Sequence, residues 1–209
     1  MKKNKTWIER HLNDPFVKAS KREGYASRAA YKLLAIQEKD KILKRGMTVI
    51  DLGAAPGGWS QVAVQCVGDR GRVIAIDVLP MDVPADVTFI QGDFNDDVIL
   101  QSLEEALRGE KADVILSDMA PNISGQRGID MPRSIHLLEL ALDCAQMMLA
   151  PGGTLLLKAF QGAGLEAFVQ SMRAQFSSVK YRKPEASRAT SAELYLLALG
   201  FQGRYNESK

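Results

Sequence analysis

Asp51-Leu-Gly-Ala-Ala-Pro-Gly-Gly-Trp-Ser60 is the stretch that decides the fold. It follows an apolar segment at 47–50 and precedes an amphipathic segment at 61–67. This order predicts a buried strand, a glycine-rich turn and a helix. Glycines allow a ligand to approach the backbone closely, and the start of a helix offers free N–H groups. The stretch therefore predicts a ligand-binding turn in an α/β fold.

The spacing of the glycines indicates which ligand this turn suits. The dinucleotide fingerprint requires G-x-G-x-x-G, which Gly53, Gly57 and Gly58 do not match, and Pro56 removes an N–H donor. A pyrophosphate cradle is therefore disfavoured. A nucleoside without phosphates, such as S-adenosylmethionine, suits the turn better. Trp59 is either a core aromatic residue or a wall of the ligand pocket.

The composition indicates a single globular domain with room for a full core, since 46% of the 209 residues are hydrophobic. No apolar run approaches the length of a membrane span, and no secretory signal is visible. Cys66 and Cys144 are the two cysteines and lie far apart, which favours reduced thiols. We therefore expect a cytoplasmic protein that acts as a monomer and does not bind membranes.

The charge is distributed unevenly along the chain. Residues 1–45 carry 13 Lys and Arg against 5 Asp and Glu, whereas the remainder carries 14 against 20. We predict a basic N-terminal arm at 1–24, loosely held like 201–209, and a single domain at 25–209. The arm and the basic, hydroxyl-rich loop at 180–191 suggest a polyanionic partner, although solvated segments explain the same charges.

Strand and helix patterns alternate after residue 46, which predicts an α/β fold with a mostly parallel sheet. The predicted strands are 47–52, 72–77, 87–90, 112–118, 153–160, 178–183 and 193–200. The predicted helices are 27–38, 58–67, 95–108, 132–149 and 163–175. Between the last two strands the connection is too short for a parallel crossover. We therefore expect the last of the seven strands to run antiparallel to its neighbour.

Three carboxylates follow successive predicted strands, at the edge of the sheet where open α/β folds bind ligands. Asp77 is placed to accept hydrogen bonds from ribose hydroxyls, Asp93 to face an adenine edge, and Asp118 to line the same site. A single aspartate in such a place is more often a turn or helix-cap residue. Three in succession after the glycine turn favour a nucleoside site.

Lys158 stands in an otherwise apolar strand that we predict to be central, where an unpaired ammonium group is costly to bury. Glu193 opens the predicted antiparallel strand, so it should lie at the same edge of the sheet as Asp118 and Lys158. Lys32, on the helix at 27–38, is by itself compatible with an ordinary solvated lysine. No histidine has a partner at metal-ligand spacing, so we expect no metal.

Four motifs together resemble the FtsJ/RrmJ family of S-adenosylmethionine-dependent RNA ribose 2′-O-methyltransferases. They are Asp51-Leu-Gly-Ala-Ala-Pro-Gly-Gly-Trp-Ser-Gln61, Gln91-Gly-Asp-Phe94, Ser117-Asp-Met-Ala-Pro-Asn122 and Lys158-Ala-Phe-Gln-Gly162. The resemblance extends from about residue 7 to residue 200. It implies a Rossmann-like class I methyltransferase fold and a target uridine in the A loop of large-subunit (23S) ribosomal RNA.

The resemblance also implies roles for particular residues. The catalytic tetrad would be Lys32, Asp118, Lys158 and Glu193. S-adenosylmethionine would bind at Gly53 and would contact Gly57, Trp59, Asp77, Asp93 and Asp118. Three alternatives stay open: a nicotinamide dehydrogenase, a non-catalytic RNA-binding assembly factor of the ribosome, and a 2′-O-methyltransferase acting on transfer RNA or an mRNA cap.

Overall fold

The computed structural model describes residues 14–187 and 191–203. In this part of the chain the strands are β1 Thr48–Leu52, β2 Arg72–Asp77, β3 Val87–Gln91, β4 Ala112–Ser117, β5 Leu149–Phe160, β6 Phe176–Arg182 and β7 Glu193–Phe201. The helices are α1 Pro15–Glu23, α2 Ala30–Asp40, α3 Gly58–Val67, α4 Asp97–Leu107, α5 Arg127–Met148 and α6 Leu165–Arg173. The strands form one sheet in the order β3-β2-β1-β4-β5-β7-β6.

Helices cover both faces of the sheet, because successive residues of a strand point to opposite faces. Val49 packs in a core with residues of α2 and α3, whereas its neighbour Ile50 packs in a second core with residues of α4, α5 and α6. β1 is buried at every residue, as expected for a strand that is covered on both faces. The result is a Rossmann-like α/β fold.

The direction of β7 confirms the prediction from its short connection. β5 and β7 pair antiparallel with Phe160 opposite Glu193, and β6 and β7 also pair antiparallel. The other neighbouring pairs are parallel. Strand order reverses between β1 and β4, which is where folds of this class bind ligands.

The ends of the chain depart from the expectation of loosely held segments. Residues 15–23 form α1, because the Asp14 side chain accepts a hydrogen bond from the Phe16 N–H and Pro15 begins the helix. At the other end, β7 continues to the buried Phe201. The remainder of the predicted arm, residues 1–13, lies outside the described residues, as do 188–190 and 204–209.

Two helices begin three or more residues away from the predicted start. Residues 27–29 form a tight turn of i to i+3 hydrogen bonds, so α2 begins at Ala30. α5 begins at Arg127, five residues before the predicted start, and continues through Pro132. Asp130 stabilises this extra turn, because its carboxylate accepts hydrogen bonds from the Ser124 and Gly125 N–H groups and from the Ser124 hydroxyl.

Candidate active site

The glycine turn after β1 is held against the adjacent segments. The N–H groups of Gly53 and Ala54 both donate to the Ile76 carbonyl, at 2.9 and 3.1 Å. Gly53 has φ +70°, and a Cβ added to it would lie 2.4 Å from Cγ of Met119. Gly53 is thus required both by its backbone conformation and by the close approach of the segment that follows β4.

Asp77 links the end of β2 to this turn. Its Oδ2 accepts a hydrogen bond from the Ala55 N–H at 2.9 Å, and its Oδ1 accepts one from the Leu79 N–H at 2.8 Å. Each carboxylate oxygen retains capacity for a further hydrogen bond. The carboxylate is therefore fixed in orientation and able to receive two adjacent hydroxyl groups.

Asp93 lies along the same edge and is exposed. The Gly92 N–H donates to the Asp77 carbonyl at 2.9 Å, which holds the segment after β3 beside β2. Oδ1 of Asp93 accepts hydrogen bonds from the N–H and Nδ2 of Asn95. Its exposed carboxylate can therefore accept from an amino group at the rim of the site, as predicted for an adenine edge.

Trp59 occupies the core rather than the edge of the site. Its side chain is almost fully buried, its Nε1–H donates to the Ala29 carbonyl at 2.8 Å, and its ring lies 5.7 Å from that of Tyr195. Of the two roles considered from the sequence, this geometry favours the core aromatic. Gly57, with φ +105°, is also buried, in the turn just before it.

Asp51 is a buried carboxylate beneath the turn to which the sequence analysis assigned no role. Its Oδ2 accepts a hydrogen bond from the Ser60 hydroxyl at 2.6 Å, whereas Oδ1 has no partner among the described residues. Burial raises the pKa of Asp51 to about 7; the Ser60 hydrogen bond opposes this, and the nearby Asp118 and Asp77 add to it. Asp51 therefore binds a proton far more readily than an exposed aspartate.

The four residues of the predicted tetrad lie together at the carboxyl edge of the sheet. Lys32 Nζ is 2.7 Å from Glu193 Oε1. Lys158 Nζ is 3.4 Å from Asp118 Oδ1 and 3.8 Å from Glu193 Oε2. Their side chains are 10–17% exposed. The site is thus mostly shielded from water, with cations and carboxylates in alternation.

Each member reaches this point from a different element. Asp118 follows β4, Lys158 is on β5, and Glu193 begins β7, whose antiparallel direction puts its first residue at this edge. Lys32 projects from α2, which the buried Leu33 and Ile36 anchor in the core. The predicted proximity of Asp118, Lys158 and Glu193 at one edge of the sheet is therefore confirmed. Lys32 lies at the same edge, in contact with Glu193.

Opposite charges keep Glu193 ionised. Burial acts to raise its pKa, but the ammonium groups of Lys32 and Lys158 and the hydrogen bond from Ser187 together outweigh burial, so the pKa of Glu193 lies below its usual range. A charged Glu193 can hold both ammonium groups in position.

Two side chains that the sequence analysis did not single out complete the arrangement. The Tyr195 hydroxyl donates to Asp118 Oδ1 at 2.8 Å, and the Ser187 hydroxyl donates to Glu193 Oε1 at 2.8 Å. Burial, followed by the charges of Asp118 and Glu193, raises the pKa of Tyr195, so it stays a donor. Tyr195 follows Glu193 by two strand residues and therefore shares its face, a signal that was present in the sequence.

Other kinds of site find no support in the described residues. In that part of the chain no group of three or more His, Cys, Asp or Glu side chains is arranged to hold a metal ion. His136 is exposed on α5. No helix among the described residues is long and apolar enough to cross a membrane.

The family described as FtsJ-like methyltransferase matches residues 25–201. The chain belongs to this family. The turn, the three strand-end aspartates and the tetrad all lie within the segment that matches the FtsJ-like methyltransferases.

Curated relatives of this FtsJ-like chain match it almost from end to end. The chain is 54% identical over 203 residues to Ribosomal RNA large subunit methyltransferase E of Pseudomonas fluorescens, covering 97% of both chains. It is also 54% identical over 202 residues to the protein of the same name from Pseudomonas aeruginosa, covering 97% of this chain and 98% of that one.

Solved structures agree with the fold. A protein named as a ribosomal RNA methyltransferase from Plasmodium falciparum is 32% identical, with a TM-score of 0.77 over 86% of this chain and all of that one. Fibrillarin from Aeropyrum pernix, solved with bound S-adenosyl-L-methionine, is 16% identical, with a TM-score of 0.56 over 81% of this chain and 76% of that one. The second likeness concerns the fold alone.

Proposed function

We propose that the protein transfers a methyl group from S-adenosylmethionine to the ribose 2′-hydroxyl of a uridine in the A loop of large-subunit (23S) ribosomal RNA. The position of Lys158 between Asp118 and Glu193, beside the glycine turn, is the observation that carries this proposal. The relatives named for large-subunit ribosomal RNA support the choice of substrate. We expect the protein to act as a monomer in the cytoplasm, on RNA within the large ribosomal subunit.

The residues of the turn fit S-adenosylmethionine, the cofactor of this methyltransferase. Asp77 offers two fixed oxygens to ribose hydroxyls, Asp93 an acceptor to the adenine amino group, and Asp118 a carboxylate to the amino-acid part. Gly53 and Gly57 keep the turn free of side chains. When bound, the cofactor supplies an electrophilic methyl group on a sulfonium. No pyrophosphate cradle is present in this turn, which disfavours the dehydrogenase.

Lys158 is the residue that we assign to the hydroxyl group. Its amine either accepts the 2′-hydroxyl proton as a base or, as an ammonium group, stabilises the oxygen as it becomes negative. Both roles require the amine to be fixed. Asp118 and Glu193 fix it, Lys32 balances the second carboxylate, and Tyr195 and Ser187 orient the two carboxylates.

In-vitro methylation with mapping of the product tests the proposal. The protein is incubated with S-adenosylmethionine carrying a labelled methyl group and with large subunits, free 23S RNA, transfer RNA or capped mRNA from cells that lack the enzyme. We expect 2′-O-methyluridine at one A-loop position. Label in transfer RNA or in a cap would assign the other substrates, and RNA binding without any label would identify a non-catalytic assembly factor.

Asp77 provides a test of the cofactor site. We expect Asp77→Ala to weaken S-adenosylmethionine binding by about 1–3 kcal/mol, because ribose hydroxyls lose their acceptors. Isothermal titration calorimetry measures the change, and Asp86→Ala, an exposed aspartate of the same loop, is the matched control. Unchanged affinity in Asp77→Ala would contradict the ribose contact. NAD should give no binding heat with either variant or with the wild type.

RNA binding should be electrostatic and tolerant of sequence, because the basic charge lies in residues 1–45 and 180–191. Each phosphate contact releases counterions, so the logarithm of affinity should fall linearly with the logarithm of salt, by about 0.7 per phosphate on single strands. Deleting residues 1–13, which contain four Lys and Arg against one Glu, should flatten this slope and leave cofactor affinity unchanged. The deletion stops before α1. An unchanged slope would show that these residues are only a solvated tail.

A further inference from the structure

A cleft of about 450 Å³ lies between the beginning of α1 and the segment that follows β6. Its apolar lining comes from Pro15, Phe16 and Pro184. Its volume falls in the range of pockets that take small molecules or parts of larger ones. The reaction assigned to the tetrad does not use this cleft.

The charges that line the cleft balance one another. Arg28 forms an ion pair with Asp14 and donates to the Ala186 carbonyl, and Lys183 Nζ donates to the Ser191 carbonyl at 2.7 Å. With Glu185, the described residues of the lining carry two cations and two carboxylates. A lining in which positive and negative charges balance attracts a phosphate group only weakly. An uncharged planar group that stacks on an aromatic ring and on proline rings fits it better.

One residue, Ser187, links the cleft to the tetrad. Ser187 lines the cleft and also donates to Glu193 Oε1 at 2.8 Å. The carbonyl of the preceding residue, Ala186, is the one that Arg28 binds. A group in the cleft would therefore lie near the tetrad, and on an RNA strand it would belong to a near neighbour of the nucleotide whose ribose Lys158 contacts.

We propose that this cleft, which we name the flanking-base cleft, binds one unstacked nucleobase next to the methylated nucleotide. The inference rests on the proposed function, and it adds a site for the substrate outside the tetrad and the cofactor turn. Sequence-specific contacts to RNA concentrate on bases that are splayed out of single-stranded loops and stacked on aromatic side chains. The flanking-base cleft holds the strand by such a base while phosphate contacts are made elsewhere.

Phe16 is the residue to change, because it supplies the aromatic ring. Phe16→Leu keeps an apolar side chain against Tyr31, whose ring lies 5.4 Å away, and removes the stacking surface. Tyr25→Leu is the matched control: Tyr25 packs on the same Tyr31 at 5.7 Å but does not line the cleft. Thermal unfolding of both variants measures any general loss of stability.

The test is a double-mutant cycle between protein and RNA. Dissociation constants are measured by fluorescence anisotropy for an A-loop oligonucleotide, either intact or with one abasic nucleotide flanking the target. We expect Phe16→Leu to weaken binding of the intact RNA about 10- to 100-fold, the range for loss of one stacked base. For the wild type, an abasic nucleotide at one flanking position should weaken RNA binding by a similar factor. For Phe16→Leu, the same abasic nucleotide should weaken binding no further, because the contact is already lost.

The flanking-base cleft would be refuted if the losses of RNA affinity caused by Phe16→Leu and by the abasic nucleotide were additive at every flanking position. It would also be refuted if Phe16→Leu bound the intact RNA as tightly as Tyr25→Leu does. Methylation of large ribosomal subunits from cells that lack the enzyme is measured in parallel for the wild type. If the wild type methylates its substrate but the effects of Phe16→Leu and of the abasic nucleotides are additive, only the flanking-base cleft is refuted. If those effects are coupled but no methyl group is transferred, the flanking-base cleft is supported and the proposed reaction is refuted.

Discussion

Lys158→Ala is expected to slow methyl transfer by about two to four orders of magnitude, because the 2′-hydroxyl loses the group that accepts its proton or stabilises the oxygen. The fold should tolerate the change. Glu193 keeps its ion pair with Lys32, and Asp118 keeps the hydrogen bond from Tyr195. Single-turnover methylation of large ribosomal subunits measures the rate, and calorimetry measures cofactor affinity, which should stay near the wild-type value.

Lys111→Ala is the matched control for this experiment. Lys111 is exposed, precedes β4 at the opposite edge of the sheet, and donates only to the Met147 carbonyl among the contacts described for it. Its variant should methylate RNA at the wild-type rate. A Lys158→Ala protein that binds cofactor normally and turns over within a few-fold of wild type would remove Lys158 from the mechanism.

Lys158→Arg separates the two roles left to this residue. A guanidinium group keeps a positive charge but does not release its proton near neutral pH, so it cannot act as a base. We expect the Arg variant to be as inactive as the Ala variant if Lys158 is the base. Substantial activity in the Arg variant would instead assign Lys158 a purely electrostatic role.

The fold and part of the tetrad were predictable because they depend on local patterns and on strand direction. Apolar runs that end in Asp77 and Asp118 are short-range signals, and a short connection before Glu193 leaves only an antiparallel pairing. Direction alone then places the start of β7 at the same edge of the sheet as the ends of β4 and β5, and the strand order puts it next to β5. No side-chain detail is needed for that conclusion.

Other parts of the site depend on contacts between segments that are remote in the sequence. Lys32 reaches Glu193 only because α2 packs at this edge, and no property of the helix itself shows that. Ser187 reaches Glu193 because Arg28 holds the Ala186 carbonyl from the other side of the cleft. Trp59 illustrates the same point: its place beside the turn left both the core and the ligand pocket open, and its hydrogen bond to Ala29, which is remote in the sequence, favours the core.

The second large effect concerns Asp51, whose substitution should change the pH dependence of stability. Because the pKa of Asp51 is about 7 in the folded protein and about 4 when unfolded, the folded state binds this proton more tightly. Its contribution to stability is fully present below about pH 4 and is lost as the pH rises to about 7. Over that window the cofactor-free wild type should lose up to about 4 kcal/mol relative to Asp51→Asn.

Asparagine is the informative replacement because it has the shape of a protonated aspartate and still accepts the Ser60 hydrogen bond. The free energy of unfolding is measured in urea between pH 4 and pH 8, and the difference between the two proteins isolates Asp51 from all other titrating groups. Asp69→Asn, at an exposed position, controls for loss of one formal charge. A difference between the wild type and Asp51→Asn that stays constant with pH would show that the pKa of Asp51 is the same in the folded and unfolded states.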